Sequence, residues 1–367
     1  MQIALLLAVL FLAATNGAND NFKGVATLYG SRRAGYWTSL IWASLTTLAG
    51  SVSSAFLAHA LLEAFTGAGL VPPAIATETR FAFAVAGGGA ITVALAAWRG
   101  LPISTTMALV GAMVGAGLIA IGTTVHFASL MNTFLLPLVV SPLIAVVPAM
   151  LLAPPLRRWV ARHVTTEREC VCVTEAVAVT PDGAMLREGS ALAVVAGSDS
   201  RCRDLNARPV AWWSARRIAD VSLFLLGGAV SFARGLNDTP KVAALLLPIA
   251  AFAGHDNLAV TLAGVAMLVG GLLGARRVAR TLSDKITQLD VGAALAAGLT
   301  TSALVCAASF DGLPVSTTQV SVGALAGTGL VGGSKVDRKV LTNIVLSWVI
   351  TLPVGALLGA VLYAVVR

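Results

Sequence analysis

Charged residues are scarce in this chain of 367 residues. Lys, Arg, Asp and Glu make up 11% of it, whereas a soluble domain carries about a quarter. Hydrophobic residues reach 57%, and the mean hydropathy is +0.86. This balance excludes the soluble globular class and predicts an integral membrane protein.

Cysteine is also rare, with four residues, which excludes a disulfide framework. Cys170, Cys172 and Cys202 fall in a segment predicted to be cytoplasmic, where thiols are expected to stay reduced. Together with His163 they are the candidate metal ligands, but they lack the Cys-x-x-Cys spacing of a zinc site. We expect no bound cofactor.

The first apolar run lacks a preceding basic region and a small-residue cleavage site, so we expect a membrane segment rather than a leader. The net charge of +8 comes from basic residues in short loops beside apolar spans. That placement is typical of orientation signals in membrane proteins. We expect no nucleic-acid partner.

Polar residues recur as two matched pairs of motifs. The stretch "TNGANDNFKGVATL" matches "SFARGLNDTPKVAALLL", with Asp20 aligned to Asp238 at an offset of 218 (238 − 20). A second pair, "RGLPISTTMALVGAMVGAGL" and "DGLPVSTTQVSVGALAGTGL", has an offset of 212 (311 − 99). The chain is therefore predicted to hold two membrane repeats, residues 1–153 and 216–367, joined by a linker at 154–215.

Basic residues occupy opposite loops in the two repeats. The loop after the first span holds Arg32 and Arg33, and its counterpart "AGHDN" has neither Lys nor Arg. One span later the second repeat carries the basic loop, "GARRVARTLSDK", and the first does not. Because Lys and Arg favour the cytoplasmic side, the repeats are predicted to be inverted, as in secondary transporters.

The predicted fold is an all-α membrane protein with about five segments in each repeat and helices broken at the polar motifs. The third and fourth segments of each repeat are either full spans or re-entrant hairpins, since both return the chain to the same face. The linker is predicted to be cytoplasmic. Its alternating pattern around a Pro-Asp-Gly turn indicates a small β unit.

The Asn-Asp motifs place ionisable groups at membrane depth. An ionised side chain at the bilayer centre costs at least about 2.5–3.5 kcal/mol, so such groups face a wet or protein-lined cavity. The i, i+3 spacing lets Asp20 meet Lys23, and Asp238 meet Lys241, on one helical turn. The two lysines would then offset the charge of a negative ligand.

The Leu-Pro-x-Ser-Thr-Thr motifs are typical of helix starts that bind anions. Proline in the first turn has no N–H to leave unpaired, Ser or Thr caps the turn, and the remaining N–H groups point at the ligand. Two such starts would form a cradle for a tetrahedral oxyanion. Its six hydroxyls are those of Ser104, Thr105, Thr106, Ser316, Thr317 and Thr318. The alternative is that these residues only cap their helices.

Arg99 and Asp311 precede the two Gly-Leu-Pro sequences at corresponding positions. They are candidates for a gate or for an ion pair between the repeats. The alternative is that Arg99 is an anchor at the cytoplasmic boundary.

In these motifs the chain resembles the inorganic phosphate transporter (PiT) family. Gly17–Asp20 and Gly235–Asp238 match the Asn-Asp motif of that family, and Pro102–Thr106 and Pro314–Thr318 match its Pro-x-Ser-Thr-Thr segments. The resemblance implies a dimeric, cation-coupled oxyanion transporter with inverted repeats that works by alternating access.

Where the family has a second Asn, three residues after the Asp, this chain has Lys23 and Lys241. In the family that region helps to hold sodium. We hypothesise that the two ammonium groups replace sodium. Coupling would then be to protons, through Asp20 and Asp238, or absent.

The resemblance also places the substrate and ion sites at the Asn-Asp and Ser-Thr-Thr positions, which adds Asn19 and Asn237 to the expected substrate contacts. After Ser-Thr-Thr the family usually carries His, and this chain has Met107 and Gln319. Of these, Gln319 is expected to hydrogen-bond the ligand.

The leading hypothesis is a proton-coupled symporter of inorganic phosphate in the bacterial inner membrane. The alternatives are a sulfate or other oxyanion permease of the same fold and a passive anion channel with the same cradle. An intramembrane enzyme is disfavoured because the duplicated serines lack a basic partner and each aspartate comes with a lysine. Membrane lipid and a second copy of the chain are the expected partners besides the substrate and its coupling cation.

Overall fold

The computed structural model describes residues 1–30, 32–67, 69–163, 169–179, 185–198, 208–211, 215–286, 290–332 and 338–367. Two groups of helices are separated in the chain by three strands. The first group is α1 (Gln2–Asp20), α2 (Ala26–Gly30), α3 (Tyr36–Leu57), α4 (His59–Ala64), α5 (Pro73–Ala76), α6 (Thr79–Trp98), α7 (Thr105–Ile121), α8 (Phe127–Ser129) and α9 (Leu136–His163). A 3-10 turn, Gly122–Thr124, follows α7, and a π-helical segment, Leu130–Leu135, joins α8 to α9.

The second group repeats the order of the long helices. It comprises α10 (Ala215–Ala243), α11 (Asp256–Gly274), α12 (Arg276–Ile286), α13 (Val291–Phe310), α14 (Thr317–Gly332) and α15 (Arg338–Val366). Two 3-10 turns, Ala244–Leu246 and Ala250–Phe252, connect α10 to α11. The carboxylate of Asp290 accepts the backbone N–H of Ala293 at 2.8 Å and so caps the start of α13.

Three strands lie between the helical groups: β1 (Glu169–Val179), β2 (Met185–Ser198) and β3 (Arg208–Ala211). They form one antiparallel sheet in the order β2-β1-β3. The Pro-Asp-Gly turn expected in this linker lies outside the described residues.

Within the described residues, eight helices are long and apolar enough to cross a membrane, so the chain is a multi-pass membrane protein that is helical in its membrane part. Large apolar side chains cover its outside, including Leu273 (83% exposed) and Phe56 (75% exposed). In water such a surface would be a liability, whereas in a bilayer it faces lipid. The helices that follow the Pro-x-Ser-Thr-Thr motifs are shorter, with 17 residues in α7 and 16 in α14.

Helices of the two halves pack against each other in matching pairs. The first helix of each half packs on the second helix of the other, since α1 contacts α11 and α10 contacts α3. The fourth helix of each half packs on the last helix of the other, since α7 contacts α15 and α14 contacts α9. Each half is therefore completed by the other, and the core is shared.

Glycine allows the closest of these crossings. A Cβ added at Gly17 of α1 would lie 1.9 Å from the carbonyl oxygen of Met267, and one added at Gly235 of α10 would lie 2.1 Å from that of Thr47. Only a residue without a side chain lets two helix backbones approach so closely. The two glycines correspond at the same offset of 218 (235 − 17), so both halves use the same contact.

The helix breaks follow the polar motifs in three of four places. The first Asn-Asp motif ends α1 at Asp20, and each Pro-x-Ser-Thr-Thr motif contains a helix start, at Thr105 and at Thr317. The prediction of a break at the second Asn-Asp motif is wrong, because α10 continues through Pro240 to Ala243. Ion pairs from Asp238 to Arg234 and to Lys241 lie along this part of the helix and support it despite the missing N–H of the proline.

Candidate functional site

The carboxylate of Asp20 is buried at the end of α1, among polar groups from three parts of the chain. It accepts the side-chain amide of Asn19 at 2.7 Å and that of Asn16 at 3.2 Å. The hydroxyl of Thr105, at the start of α7, donates to it at 3.1 Å. Lys23 completes its environment with an ion pair across the following turn. The motif and the helix start therefore meet, as the cradle hypothesis requires.

The ammonium of Lys23 is surrounded by three kinds of oxygen. It pairs with the carboxylate of Asp20 and donates to the backbone carbonyl of Ile103 at 2.8 Å and to the hydroxyl of Thr318 at 2.6 Å. Its side chain is 7% exposed. These ligands come from the Asn-Asp motif, from the loop before α7 and from the other half of the chain.

Lys241 has the matching set of ligands. Its ammonium lies 3.3 Å from the carboxylate of Asp238, 2.7 Å from the carbonyl of Val315 and 2.9 Å from the hydroxyl of Thr106. Val315 holds the same place in its Pro-x-Ser-Thr-Thr motif as Ile103 does in the other. Each ammonium thus lies where a carboxylate, a carbonyl and a hydroxyl converge, which is the oxygen environment of a hard cation.

Four of the six hydroxyls of the Ser-Thr-Thr motifs, those of both serines and of Thr106 and Thr318, divide into two kinds. Ser104 and Ser316 accept backbone N–H groups of the first turns, at 3.2 and 3.4 Å, so both serines cap their helices. Thr106 donates to the carbonyl of Val315, and Thr318 donates to that of Ile103, both at 3.4 Å. The serines therefore fit the capping interpretation, while these two threonines join the halves.

The asparagines of the two motifs occupy matching places. Asn19 donates to the carbonyl of Ile103 at 3.1 Å, and Asn237 donates to that of Val315 at 3.0 Å. Asn237 also donates to the carboxylate of Asp238 at 3.0 Å. Both amides therefore fix the loops before α7 and α14.

Three buried side-chain oxygens at this site have no hydrogen-bond partner within the described chain. They are the side-chain oxygens of Asn19, Thr317 and Gln319. Buried acceptors are rarely left unpaired, because each one costs the free energy of removing it from water. A ligand that carries its own donors would satisfy them. Met107, at the place that corresponds to Gln319, is buried and apolar.

Arg234 is a further charged residue of the site, and the sequence analysis did not assign it a role. Its guanidinium is 1% exposed and donates to the side-chain oxygen of Asn16 at 2.7 Å and to that of Asn21. It also lies 3.6 Å from the carboxylate of Asp238. Its place four residues before Asp238, on the same helix face, is the signal that could have identified it.

The central cluster, which we define as Asp20, Lys23, Arg234, Asp238 and Lys241, carries three cationic and two anionic side chains. Its formal charge is therefore +1 (3 − 2). Buried charges need compensation, and an anion bound at this cluster would supply it. The arrangement is suited to holding an oxyanion between the two helix starts.

Arg99 and Asp311 do not form the ion pair considered between the repeats. Both side chains are exposed, and no ion pair joins them in the described structure. Each of these residues is followed by a glycine with positive φ, at which the chain turns. The two turns pack on different elements, since Gly100 lies against Arg277 of α12 and Gly312 lies against Ala60 of α4. The two turns have different neighbours, so the two side chains do not meet.

The expectation of reduced thiols in the linker is wrong for Cys172, which is buried in β1 and disulfide-bonded. A disulfide sulfur is not a thiolate, so Cys172 is not available as a metal ligand. Cys202 and the side chains of Cys170 and His163 lie outside the described residues. Across the described chain no cluster of three potential metal ligands occurs.

Comparisons with known proteins support the resemblance read from the motifs. The Phosphate transporter family matches residues 16–359. A protein of Rhizobium meliloti (strain 1021) described as a "Probable low-affinity inorganic phosphate transporter" is 30% identical over 377 residues, 99% of this chain and 96% of that protein. One of Mycobacterium bovis with the same description is 26% identical over 382 residues, 100% of this chain and 79% of that protein.

The fold also has a counterpart among solved structures. "The sodium-dependent phosphate transporter" superposes with a TM-score of 0.77 at 22% identity and covers 100% of this chain and 98% of that one. At this identity the likeness establishes the fold alone. Together with the family match over both halves, it shows that the chain belongs to the phosphate transporter family.

Proposed function

We propose that this protein is a secondary transporter of inorganic phosphate and that the central cluster is its substrate site. The observation that carries the proposal is the formal charge of +1 on five side chains buried between two helix starts. An isolated buried charge is costly, and the net positive charge favours an anionic ligand. The two relatives described as a "Probable low-affinity inorganic phosphate transporter" support phosphate as that ligand.

Phosphate fits the unpaired oxygens of the site better than sulfate does. At neutral pH inorganic phosphate is partly protonated and can donate a hydrogen bond, since its second pKa lies near neutrality (about 6 for a phosphate ester). Sulfate has no proton to donate in this range. The side-chain nitrogen of Asn19 donates to Asp20 and to Ile103, so its unpaired oxygen is an acceptor and favours the oxyanion that carries a proton.

The helices of each half pack against the matching helices of the other half, and this reciprocal packing supports an inverted repeat. The loop charges predict that corresponding loops lie on opposite faces, and each half contributes a threonine to the lysine of the other. In this proposal the halves move against each other around the central cluster, giving alternating access. The linker lies on the cytoplasmic side, and the chain functions as a homodimer in the bacterial inner membrane.

The coupling cation is the second part of the proposal. Each lysine ammonium lies among a carboxylate, a carbonyl and a hydroxyl. A sodium ion at either place would have to displace the lysine ammonium, which is attached to the chain. We therefore propose that Lys23 and Lys241 take the place of sodium and that coupling is to protons, through Asp20 and Asp238, or is absent.

Uptake into proteoliposomes tests the substrate. Labelled phosphate is offered to the purified protein with unlabelled phosphate or sulfate as competitor. We expect unlabelled phosphate to compete when its concentration is about that of the labelled phosphate. We expect sulfate to compete only when it is in at least about a tenfold excess. Equal competition by sulfate would overturn the argument from the unpaired acceptors.

Counterflow separates a carrier from a passive anion channel. Vesicles are loaded with unlabelled phosphate and diluted into a trace of labelled phosphate. A carrier accumulates label transiently above its equilibrium level, because each return step brings a substrate molecule with it. A channel shows no such overshoot, and that result would contradict alternating access.

A further inference from the structure

A second basic site lies at the ends of α1, α6 and α11, where α12 begins. It is a cavity of about 570 Å³, within the range of small-ligand sites. Arg276, Arg277 and Arg280 of α12 line it together with Thr15 of α1 and Trp98 of α6. Among the described residues that line it, none is acidic and none belongs to the central cluster.

The helix α12 directs its arginines into the cavity by burying its other face. Val278 and Ala279 are 0% and 1% exposed, while the three arginines are exposed. Arg277 donates to the carbonyl of Trp98 at 2.9 Å, which fixes α12 against the end of α6. The guanidinium groups are therefore held at the cavity by the packing of the helix.

Two of these arginines lack a partner in the described chain. No hydrogen bond or ion pair to a described residue involves the guanidinium of Arg276 or Arg280. The two are four residues apart and so lie on the same side of the helix, where like charges repel each other. An anion between them would remove this repulsion and could accept bidentate hydrogen bonds from both.

The cavity lies beside the lipid-facing surface. Leu273, which also lines it, is 83% exposed, and Trp98 is 64% exposed. Tryptophan beside arginine is typical of the boundary between hydrocarbon and headgroups. Basic pockets between membrane helices bind phospholipid headgroups. Orientation signals alone explain arginine in this loop but not its convergence on one cavity.

The matching place in the first half has different chemistry. The segment that follows α3, His59–Ala64, contains Glu63 and neither Lys nor Arg. The arginine cavity is thus a property of one half rather than a requirement of the fold.

We propose that the cavity lined by Arg276, Arg277 and Arg280 binds a phosphoryl anion. The phosphoryl group has two sources, the headgroup of an anionic phospholipid or free inorganic phosphate beside the central cluster. The lipid source is independent of transport. The free-phosphate source rests on the proposed function and would make the cavity a second substrate site.

The test compares purified wild-type protein with the variant Arg276→Gln/Arg280→Gln. The matched control is Arg158→Gln/Arg162→Gln, which removes the same charge near the end of α9, outside the cavity. Native mass spectrometry measures retention of phosphatidylglycerol and of phosphatidylcholine, and calorimetry in lipid-free detergent measures binding of inorganic phosphate.

We expect the cavity variant to lose at least about tenfold in phosphatidylglycerol retention, or to lose one class of phosphate sites, while the control behaves as wild type. Loss of the lipid alone identifies the headgroup as the source, and loss of phosphate alone identifies the free anion. If cavity variant and control match wild type with both probes, the proposal is overturned. Failure of the lipid measurement leaves transport untouched, so it is distinct from failure of the proposed function.

A second variant protects the test against misfolding. Arg276→Lys/Arg280→Lys keeps both charges but loses the planar fork that binds phosphoryl oxygens in pairs. We expect intermediate retention. The proposal would also be overturned if neither this variant nor the wild type preferred phosphatidylglycerol to phosphatidylcholine and neither bound inorganic phosphate at the cavity.

Discussion

The ammonium of Lys23 lies 2.6 Å from the hydroxyl of Thr318, a residue of the opposite half of the chain. Lys241 and Thr106 form the reciprocal contact at 2.9 Å. These two hydrogen bonds join the Asn-Asp motif of each half to the Ser-Thr-Thr motif of the other. The site therefore exists only where both halves meet, and each of its two lysine ammonium groups is bound by residues of both halves.

Removal of either bridging hydroxyl should slow transport. A hydrogen bond to a charged group contributes about 1.5–3 kcal/mol, so we expect Thr318→Val or Thr106→Val to reduce phosphate uptake by roughly 10- to 100-fold. The measurement is initial uptake in proteoliposomes. Thr92→Val is the control, because the hydroxyl of Thr92 is buried but bonds within its own helix, to the carbonyl of Gly88 at 2.7 Å. Wild-type uptake by Thr318→Val would contradict the bridging role.

Neutralising an aspartate of the central cluster should abolish uptake. Asp20→Asn or Asp238→Asn leaves one lysine without its carboxylate and raises the formal charge of the cluster to +2 (3 − 1). We expect uptake to fall at least about 100-fold, with the protein still monodisperse in detergent. Asp220→Asn is the matched control, since Asp220 pairs with Arg33 away from the cluster. Substantial uptake by both cluster variants would remove the aspartates from the mechanism.

Arg234 should be essential to stability. Its guanidinium joins α10 to the side-chain oxygens of Asn16 and Asn21 at the end of α1. In Arg234→Gln these two oxygens and the carboxylate of Asp238 lose the donors that the guanidinium supplies. Breaking a buried charge pair costs about 3–5 kcal/mol, so thermal unfolding in detergent should occur at a clearly lower temperature. Arg234→Lys should be intermediate, because it keeps the charge without the fork.

The control for Arg234 is Arg33→Gln. Arg33 also pairs with an aspartate, but that pair is partly exposed, and such pairs contribute at most about 1 kcal/mol. A shift for Arg33→Gln as large as that for Arg234→Gln would show that burial is not the cause.

The glycine crossings give a test of packing. Gly17→Ala and Gly235→Ala would place a Cβ within 2.1 Å of a backbone oxygen of the facing helix, so the helices would have to separate. We expect poor expression and early unfolding on heating. Gly35→Ala is the control, because nothing lies within 4 Å of its added Cβ. Normal stability of Gly17→Ala would mean that this contact is looser than described.

The sequence predicted much of the site because its chemistry is repeated. Asp20, Lys23 and Thr105 were identified from motifs that occur twice, and the structure brings them together. Apolar runs likewise predicted the membrane helices. Both signals are local in sequence, and both arise from the free-energy penalty for polar groups in lipid.

The features that the sequence did not predict depend on tertiary contacts. The residue of the first half that corresponds to Arg234, 218 residues earlier (234 − 218), is Asn16 and not another arginine. The repetition of motifs therefore gave no signal for Arg234. The carbonyls of Ile103 and Val315 belong to backbone, which no side-chain motif identifies. The continuation of α10 through Pro240 depends on ion pairs within its buried surroundings.

The measurement that tests the account most directly is a sodium titration of phosphate uptake at fixed pH, with wild type beside Lys23→Asn/Lys241→Asn. If the two ammonium groups stand where sodium would bind, wild-type uptake is independent of sodium. The double variant, in which each lysine becomes the amide typical of the family, then becomes sodium-stimulated. Strong sodium dependence of the wild type would contradict the account.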